Sequence, residues 1–182
     1  MSENGSGRVE GLYIKPKGET TRSVQEANVA WGGFEGDKHF GETRSASSSQ
    51  KPYPKGTEVR NTRQISLVSV EEMGQIAQAL GVDKLEAEWL SANVLVSGVA
   101  DLTKLPAGSR LHFENGVGLV VEGANPPCTT AGGIVQENYP EQEGLTSAFP
   151  KQAIGRRGIV AWVERPGTIS PGESIEVRRP KS

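Results

Sequence analysis

Leu111-His112-Phe113-Glu114-Asn115-Gly116-Val117-Gly118-Leu119-Val120-Val121-Glu122-Gly123 decides the architecture. Two runs of β-forming residues flank Glu114-Asn115-Gly116, a hairpin-type turn signal, so they read as neighbouring strands. Working outward, the pattern repeats. Val9, Leu12 and Ile14 form a first strand closed by Lys15-Pro16-Lys17-Gly18, Val24 to Phe34 offers a second weak run, and Gln64 to Val68 reads as a third. Gly158 to Val163 and Ser174 to Val177 flank the Pro166-Gly167 and Pro171-Gly172 turns. With 23 glycines and 11 prolines among 182 residues and a hydrophobic fraction of 35%, the balance favours short strands and many turns over a helical bundle. The fold class expected is mainly β with small helices, arranged as a closed or nearly closed β-barrel.

The length suits one domain on the prior of roughly 100–200 residues per domain. Residues 1–6 are polar and read as a disordered N-terminus, and 7–179 as a single domain. Within it, 42–61 is rich in Ser, Lys, Pro and Thr and reads as a long polar surface loop. Ser69-Val70-Glu71-Glu72 forms a capping box, and Met73, Ile76, Ala77 and Leu80 recur at helical spacing before Gly81. Leu85 to Leu90 and Leu145 to Ala148 are expected as further short helices.

Near-balanced charge, 20 Lys and Arg against 22 Asp and Glu for a net −2, excludes a generally basic nucleic-acid binder and leaves any positive patch local. No stretch approaches the roughly 18 apolar residues of a membrane span, and residues 1–10 lack the apolar centre of a signal peptide. A cytoplasmic protein with no membrane partner is expected. The one cysteine rules out an internal disulfide framework or a Cys-rich zinc site and fits a reducing compartment. Phosphate-loop, dinucleotide, nucleophile-elbow and His-Glu-x-x-His motifs are all absent from the sequence.

That cysteine, Cys128, follows Asn125-Pro126-Pro127. The prolines stiffen the chain ahead of it, as suits a thiol that must present its sulfur in a fixed direction. The competing reading is a small buried hydrophobe at a strand end. Asp37 and His39 lie two apart in Gly32-Gly33-Phe34-Glu35-Gly36-Asp37-Lys38-His39-Phe40-Gly41. Such a carboxylate can orient an imidazole or help hold a polar ligand; alternatively Asp37 caps backbone amides in a turn and His39 is solvated. Arg63 offers a planar fork of donors for phosphate or carboxylate, and Asn93 a donor and an acceptor edge.

In order, Gly36-Asp37-Lys38-His39-Phe40-Gly41, Arg63-Gln64-Ile65-Ser66-Leu67, Asn93 with Leu95 and Gly98, Leu105 to Phe113, Pro127-Cys128, and Arg157 to Val163 with Gly167 and Pro171-Gly172 resemble a MOSC domain. This family forms the C-terminal part of molybdenum cofactor sulfurases and occurs as stand-alone bacterial proteins. The resemblance implies a MOSC-type β-barrel with a cleft around Asp37, His39, Arg63, Asn93 and Cys128. It also implies molybdenum cofactor (molybdopterin) binding, with Cys128 as catalytic residue and metal ligand in the reduction of N-hydroxylated compounds. Two alternatives stand beside that reading: a sulfur carrier forming a persulfide on Cys128, and a non-catalytic binding module. A small-molecule substrate and either an electron-transfer partner or a cysteine desulfurase would accompany the first two. Pyridoxal phosphate is associated with the family only through a separate, far longer sulfurase domain. The chain departs from the family pattern in having Ala92 before Asn93, where Glu is usual, and no basic residue near Cys128 in sequence.

Overall fold

The two runs of the opening stretch become neighbouring barrel strands, Arg110–Phe113 and Gly118–Ala124, joined through Glu114-Asn115-Gly116 with Leu111 opposite Leu119. The structure is a computed structural model and describes residues 5–47 and 52–181. In chain order its elements are β1 (Gly5–Ile14), β2 (Arg22–Val24), β3 (Ala27–Ala30), β4 (Gly33–Phe34), β5 (Thr43–Ser45), β6 (Glu58–Arg60), β7 (Ile65–Ser69), α1 (Val70–Leu80), β8 (Val94–Ser97), β9 (Arg110–Phe113), β10 (Gly118–Ala124), α2 (Thr129–Asn138), α3 (Leu145–Gln152), β11 (Ile159–Arg165), β12 (Gly167–Ile169) and β13 (Ser174–Arg178).

Seven strands close into a barrel in the order β13-β9-β10-β11-β7-β8-β1, with β1 pairing back onto β13 from Gly5 opposite Val177 to Arg8 opposite Ser174. Every barrel pairing is antiparallel except β7 with β8, which run parallel. A parallel neighbour needs a crossover, and α1 supplies it. Closure removes the edges that open sheets must protect.

Strand periodicity sorts side chains into two cores. Ile65 and Leu67 of β7, Leu119 and Val121 of β10, and Ile159, Ala161 and Val163 of β11 point into the barrel. Val68 faces the other way and joins Met73, Ile76, Leu80, Val135 and Phe149 in a second cluster beneath the helices. The helical layer therefore covers one flank of the barrel, and α2 packs on α3 there. Gly132 makes that contact: a Cβ on it would meet the Thr146 carbonyl oxygen at 2.4 Å.

The Ser69 cap holds, with its Oγ accepting from the Glu72 backbone N–H at 3.1 Å, and Gly81 ends the helix at φ 70°. Four expectations change. Leu85 to Leu90 is a series of turns rather than a helix, since Trp89, Leu90 and Ser91 each bond back three residues and Ser91 turns left-handed at φ 51°. Its register is set by packing, with Leu85, Ala87 and Leu90 anchored in the helical cluster. In the 42–61 stretch, β5 and β6 pair from Thr43 opposite Arg60 to Ser45 opposite Glu58, making two arms of a polar hairpin; 48–51 lie outside the described residues. Gly5 and Ser6, expected within a loose terminus over 1–6, belong to β1, where β13 supplies their partners; residues 1–4 lie outside the described residues. Finally, α2 begins directly after Cys128, a segment not among the expected helices.

Candidate functional site

The glycine-dense segment after β4 folds around a single carboxylate. Asp37 is 6% exposed. Its Oδ2 accepts from the Lys15 backbone N–H at 2.8 Å and from Asn93 Nδ2 at 3.0 Å. Its Oδ1 faces both the His39 backbone N–H and His39 Nδ1 at 2.9 Å. An ionised carboxylate only accepts, so Nδ1 carries the proton and Nε2 remains the ring's other polar atom. Burial pushes the Asp37 carboxyl up, but the bonds from the His39 side chain and from the His39 and Lys15 backbones outweigh it and hold the group below its ordinary value. Both sequence readings of the pair are thus realised: Asp37 caps amides and orients the ring, while the His39 side chain is 44% exposed.

Asn93 locks this loop to the barrel. Its Oδ1 accepts from the Ser66 N–H at 3.0 Å, and Nδ2 donates to the Tyr13 carbonyl as well as to Asp37. Two further polar residues that the sequence did not single out as site residues share the task. Asn61 donates from Nδ2 to the His39 and Gly41 carbonyls and accepts the Arg63 N–H. Buried Gln64 donates to the Trp31 carbonyl and accepts from the Val163 N–H. Together these bonds pin the 36–41 loop against β7 and β11.

The result is a cleft of about 680 Å³ whose walls include His39, Arg63, Asn93 and Cys128. Four of the five expected site residues line it; Asp37 stands behind the wall with its oxygens already engaged. Cys128 caps α2 in extended geometry, φ −135° and ψ 162°, and is exposed. The buried-hydrophobe reading of this thiol is therefore overturned: the stiff Pro126-Pro127 approach sets the sulfur on the surface instead of inside the sheet. Lys15, Lys38, Arg44, Arg63 and Arg157 also line the cleft, and among the described residues no carboxylate does. On a chain of net charge −2 the positive patch is local.

Arg157 is the residue sequence reasoning missed as a functional group. It lies far along the chain from Cys128 yet lines the same cleft, supplying the basic neighbour that the cysteine's own segment lacks. It is 6% exposed. Nη2 donates to the Leu90 carbonyl, while Nε and Nη1 have no partner. Burial lowers its pKa to about 10, and a thiolate on Cys128 would pull the other way, so the guanidinium stays positive at neutral pH and lies within electrostatic reach of the sulfur. Half-buried Arg63 donates to Asn125 Oδ1 at 3.3 Å; burial and the Arg44 charge both lower its pKa, partly offset by Glu122.

Residues 35–176 match the MOSC domain profile. A Bacillus subtilis protein, YuaD, is 47% identical over 171 residues, covering 93% of this chain and 89% of its own length. The chain belongs to the MOSC domain family. The crystal structure of YuaD superposes on this MOSC domain with a TM-score of 0.94 at 44% identity, covering all of both chains. YuaD's name gives it a proposed part in metal-sulfur cluster biosynthesis. The YiiM protein of Geobacillus stearothermophilus shares the fold alone, with a TM-score of 0.65 at 15% identity over 94% of this chain and 74% of its own. Among the described residues of this MOSC domain, no three His, Cys, Asp or Glu side chains gather as a metal site, and no helix is long and apolar enough to cross a membrane.

Proposed function

We propose that this MOSC domain is a sulfur carrier that holds sulfane sulfur as a persulfide on Cys128 for metal-sulfur assembly. The observation carrying the proposal is the exposed thiol at the start of α2, set in a cleft whose charged lining among the described residues is cationic and includes Arg157 with Nε and Nη1 unbonded. A buried guanidinium with two empty donor positions is costly unless something answers its charge. An anionic sulfur species on Cys128 would answer it.

In the loading step the Cys128 thiolate attacks the outer sulfur of a donor persulfide, R–S–SH. The bond from Sγ to that sulfur forms, the donor's S–S bond breaks, and the donor leaves as R–S⁻. Delivery is the same exchange in reverse: an acceptor thiolate takes the outer sulfur and Cys128 leaves as thiolate, with no external oxidant or reductant. A cysteine desulfurase in the cytoplasm is the donor this chemistry calls for, and the name of YuaD agrees with the role. Intact mass after incubation with a cysteine desulfurase and free cysteine should show one added sulfur, absent in Cys128→Ser. A wild-type mass unchanged by that treatment would sink the proposal.

The unpaired cations favour a second reading, binding of a molybdenum pterin. The donor set fits such a group: Arg63 and Lys38 offer charged hydrogen bonds to a phosphate, and Cys128 offers one soft ligand to the metal. When bound, the group supplies a two-electron redox centre, and an electron-transfer partner would have to feed it. Molybdenum and pterin analysis of protein purified from a cofactor-competent host tests this reading, and absence of both would end it.

A further inference from the structure

Resting on the sulfur-carrier reading of Cys128, we propose that the same cleft loads directly from a small oxyanionic sulfane-sulfur donor of the thiosulfate class. The excess of positive charge in the cleft lining is the reason. Among the described residues, none of the five cleft cations forms an ion pair, and no carboxylate joins them in the lining. Arg44 and Arg63 are close enough to repel, and Glu122, outside the lining, offsets only part of the strain on Arg63. A multivalent anion seated between such like charges relieves their repulsion.

A persulfide at the end of a protein cysteine carries at most one charge and would leave most of this field unanswered. Thiosulfate carries two, with three oxygens suited to the forked donors of arginine. Its sulfane sulfur is the atom Cys128 requires. The thiolate attacks that sulfur, the Sγ–S bond forms, the S–S bond of thiosulfate breaks, and the bonding pair leaves on sulfite: Cys128–S⁻ + S–SO₃²⁻ gives Cys128–S–S⁻ + SO₃²⁻. Atoms and charge balance, and no oxidant or reductant is consumed. The cationic lining holds the charge that builds on the leaving sulfite, a preorganised stabilisation of the kind that speeds displacement. Arg157, with Nε and Nη1 unbonded and near enough for its charge to respond to one on Cys128, sits where the anionic persulfide product remains.

The test uses the full chain, sodium thiosulfate and two readouts: one added sulfur by intact mass, and sulfite released in equal amount. Arg63→Gln should slow loading at limiting thiosulfate by about tenfold or more, the loss expected for a charged hydrogen-bonding partner. Arg63→Lys should recover most of it by keeping the charge, which separates an electrostatic role from misfolding. Sodium sulfate, which lacks sulfane sulfur, should compete with thiosulfate and leave loading by a cysteine desulfurase unchanged. Loading by the desulfurase but not by thiosulfate would overturn this inference and leave the carrier reading standing. Loading by neither would overturn both. Loading by thiosulfate that ignores sulfate and Arg63→Gln would show a merely reactive thiol and overturn the assignment of the site.

Discussion

Replacing Arg157 with methionine should make the protein more stable and a poorer sulfur carrier. The guanidinium is 6% exposed, and only Nη2 has a partner. Its pKa falls from 12.5 to about 10, which corresponds to roughly 3 kcal/mol of native-state stability lost at neutral pH to holding the charge away from water. Methionine removes the charge and both orphaned donors while filling much of the same volume. Against that gain stands the Leu90 carbonyl, which loses its bond; an unsatisfied buried acceptor costs about 1–3 kcal/mol. The net expectation is a gain of about 1 kcal/mol, read in urea titrations at pH 7 as a higher midpoint at unchanged slope. In a chain of this size it corresponds to a rise in Tm of about 2–4 °C. Persulfide loading on Cys128, followed by intact mass on the same samples, should slow. A variant destabilised by more than about 2 kcal/mol would refute the reasoning, because it would mean that the native fold gains more from the buried charge than desolvation takes.

Two further perturbations probe the scaffold. Asp37→Asn keeps the size but loses the charge that receives four donors, so it should cost about 2–4 kcal/mol at pH 7. Because the native carboxyl titrates below its ordinary 3.8, the native state binds fewer protons there than the unfolded chain. The wild type's advantage is therefore full above pH 3.8 and lost as pH falls through the lower native value, which paired urea titrations at pH 7 and pH 3 would show as a narrowing gap. Gly158→Ala should fail outright. Gly158 has φ +89°, and a Cβ there would lie 2.0 Å from the Leu67 carbonyl oxygen, so a loss above about 4 kcal/mol is expected; an ordinary melting curve and soluble yield would contradict it.

The barrel strands that could be read in the sequence are those with period-two patterning and strong turn residues. The Leu111 to Gly123 hairpin is the best example, and α1 announces itself through Ser69, Glu72 and Gly81. The helix after Cys128 does not. Thr129, Thr130, Gly132 and Gly133 are poor helix formers, and what makes the segment helical is α3 lying against Gly132, a contact no local pattern contains. Signals were nevertheless present in Pro126-Pro127 just ahead of the first turn and in Ala131, Ile134 and Val135 at helical spacing. The β5–β6 hairpin was hidden for the opposite reason: Val59 is its one apolar strand residue, so no apolar alternation marks it. In the site, His39, Arg63, Asn93 and Cys128 were legible because ordered motifs carry them, and they do line one cleft. Asn61 lies outside those motifs, and although they include Gln64 and Arg157, an amide or guanidinium at a strand end reads as solvated until the burial of its neighbours is known.

The pairing of β1 with β13 also has a kinetic meaning. Gly5 cannot find Val177, nor Arg8 find Ser174, until nearly everything between them has been ordered, and contacts so distant in sequence are the slow ones in folding. Until then β1 and β13 each expose a row of unpaired amides and carbonyls, the template on which chains stick to one another. Variants that weaken this seam should therefore reveal themselves first as aggregation during refolding, at protein concentrations where the finished barrel stays in solution.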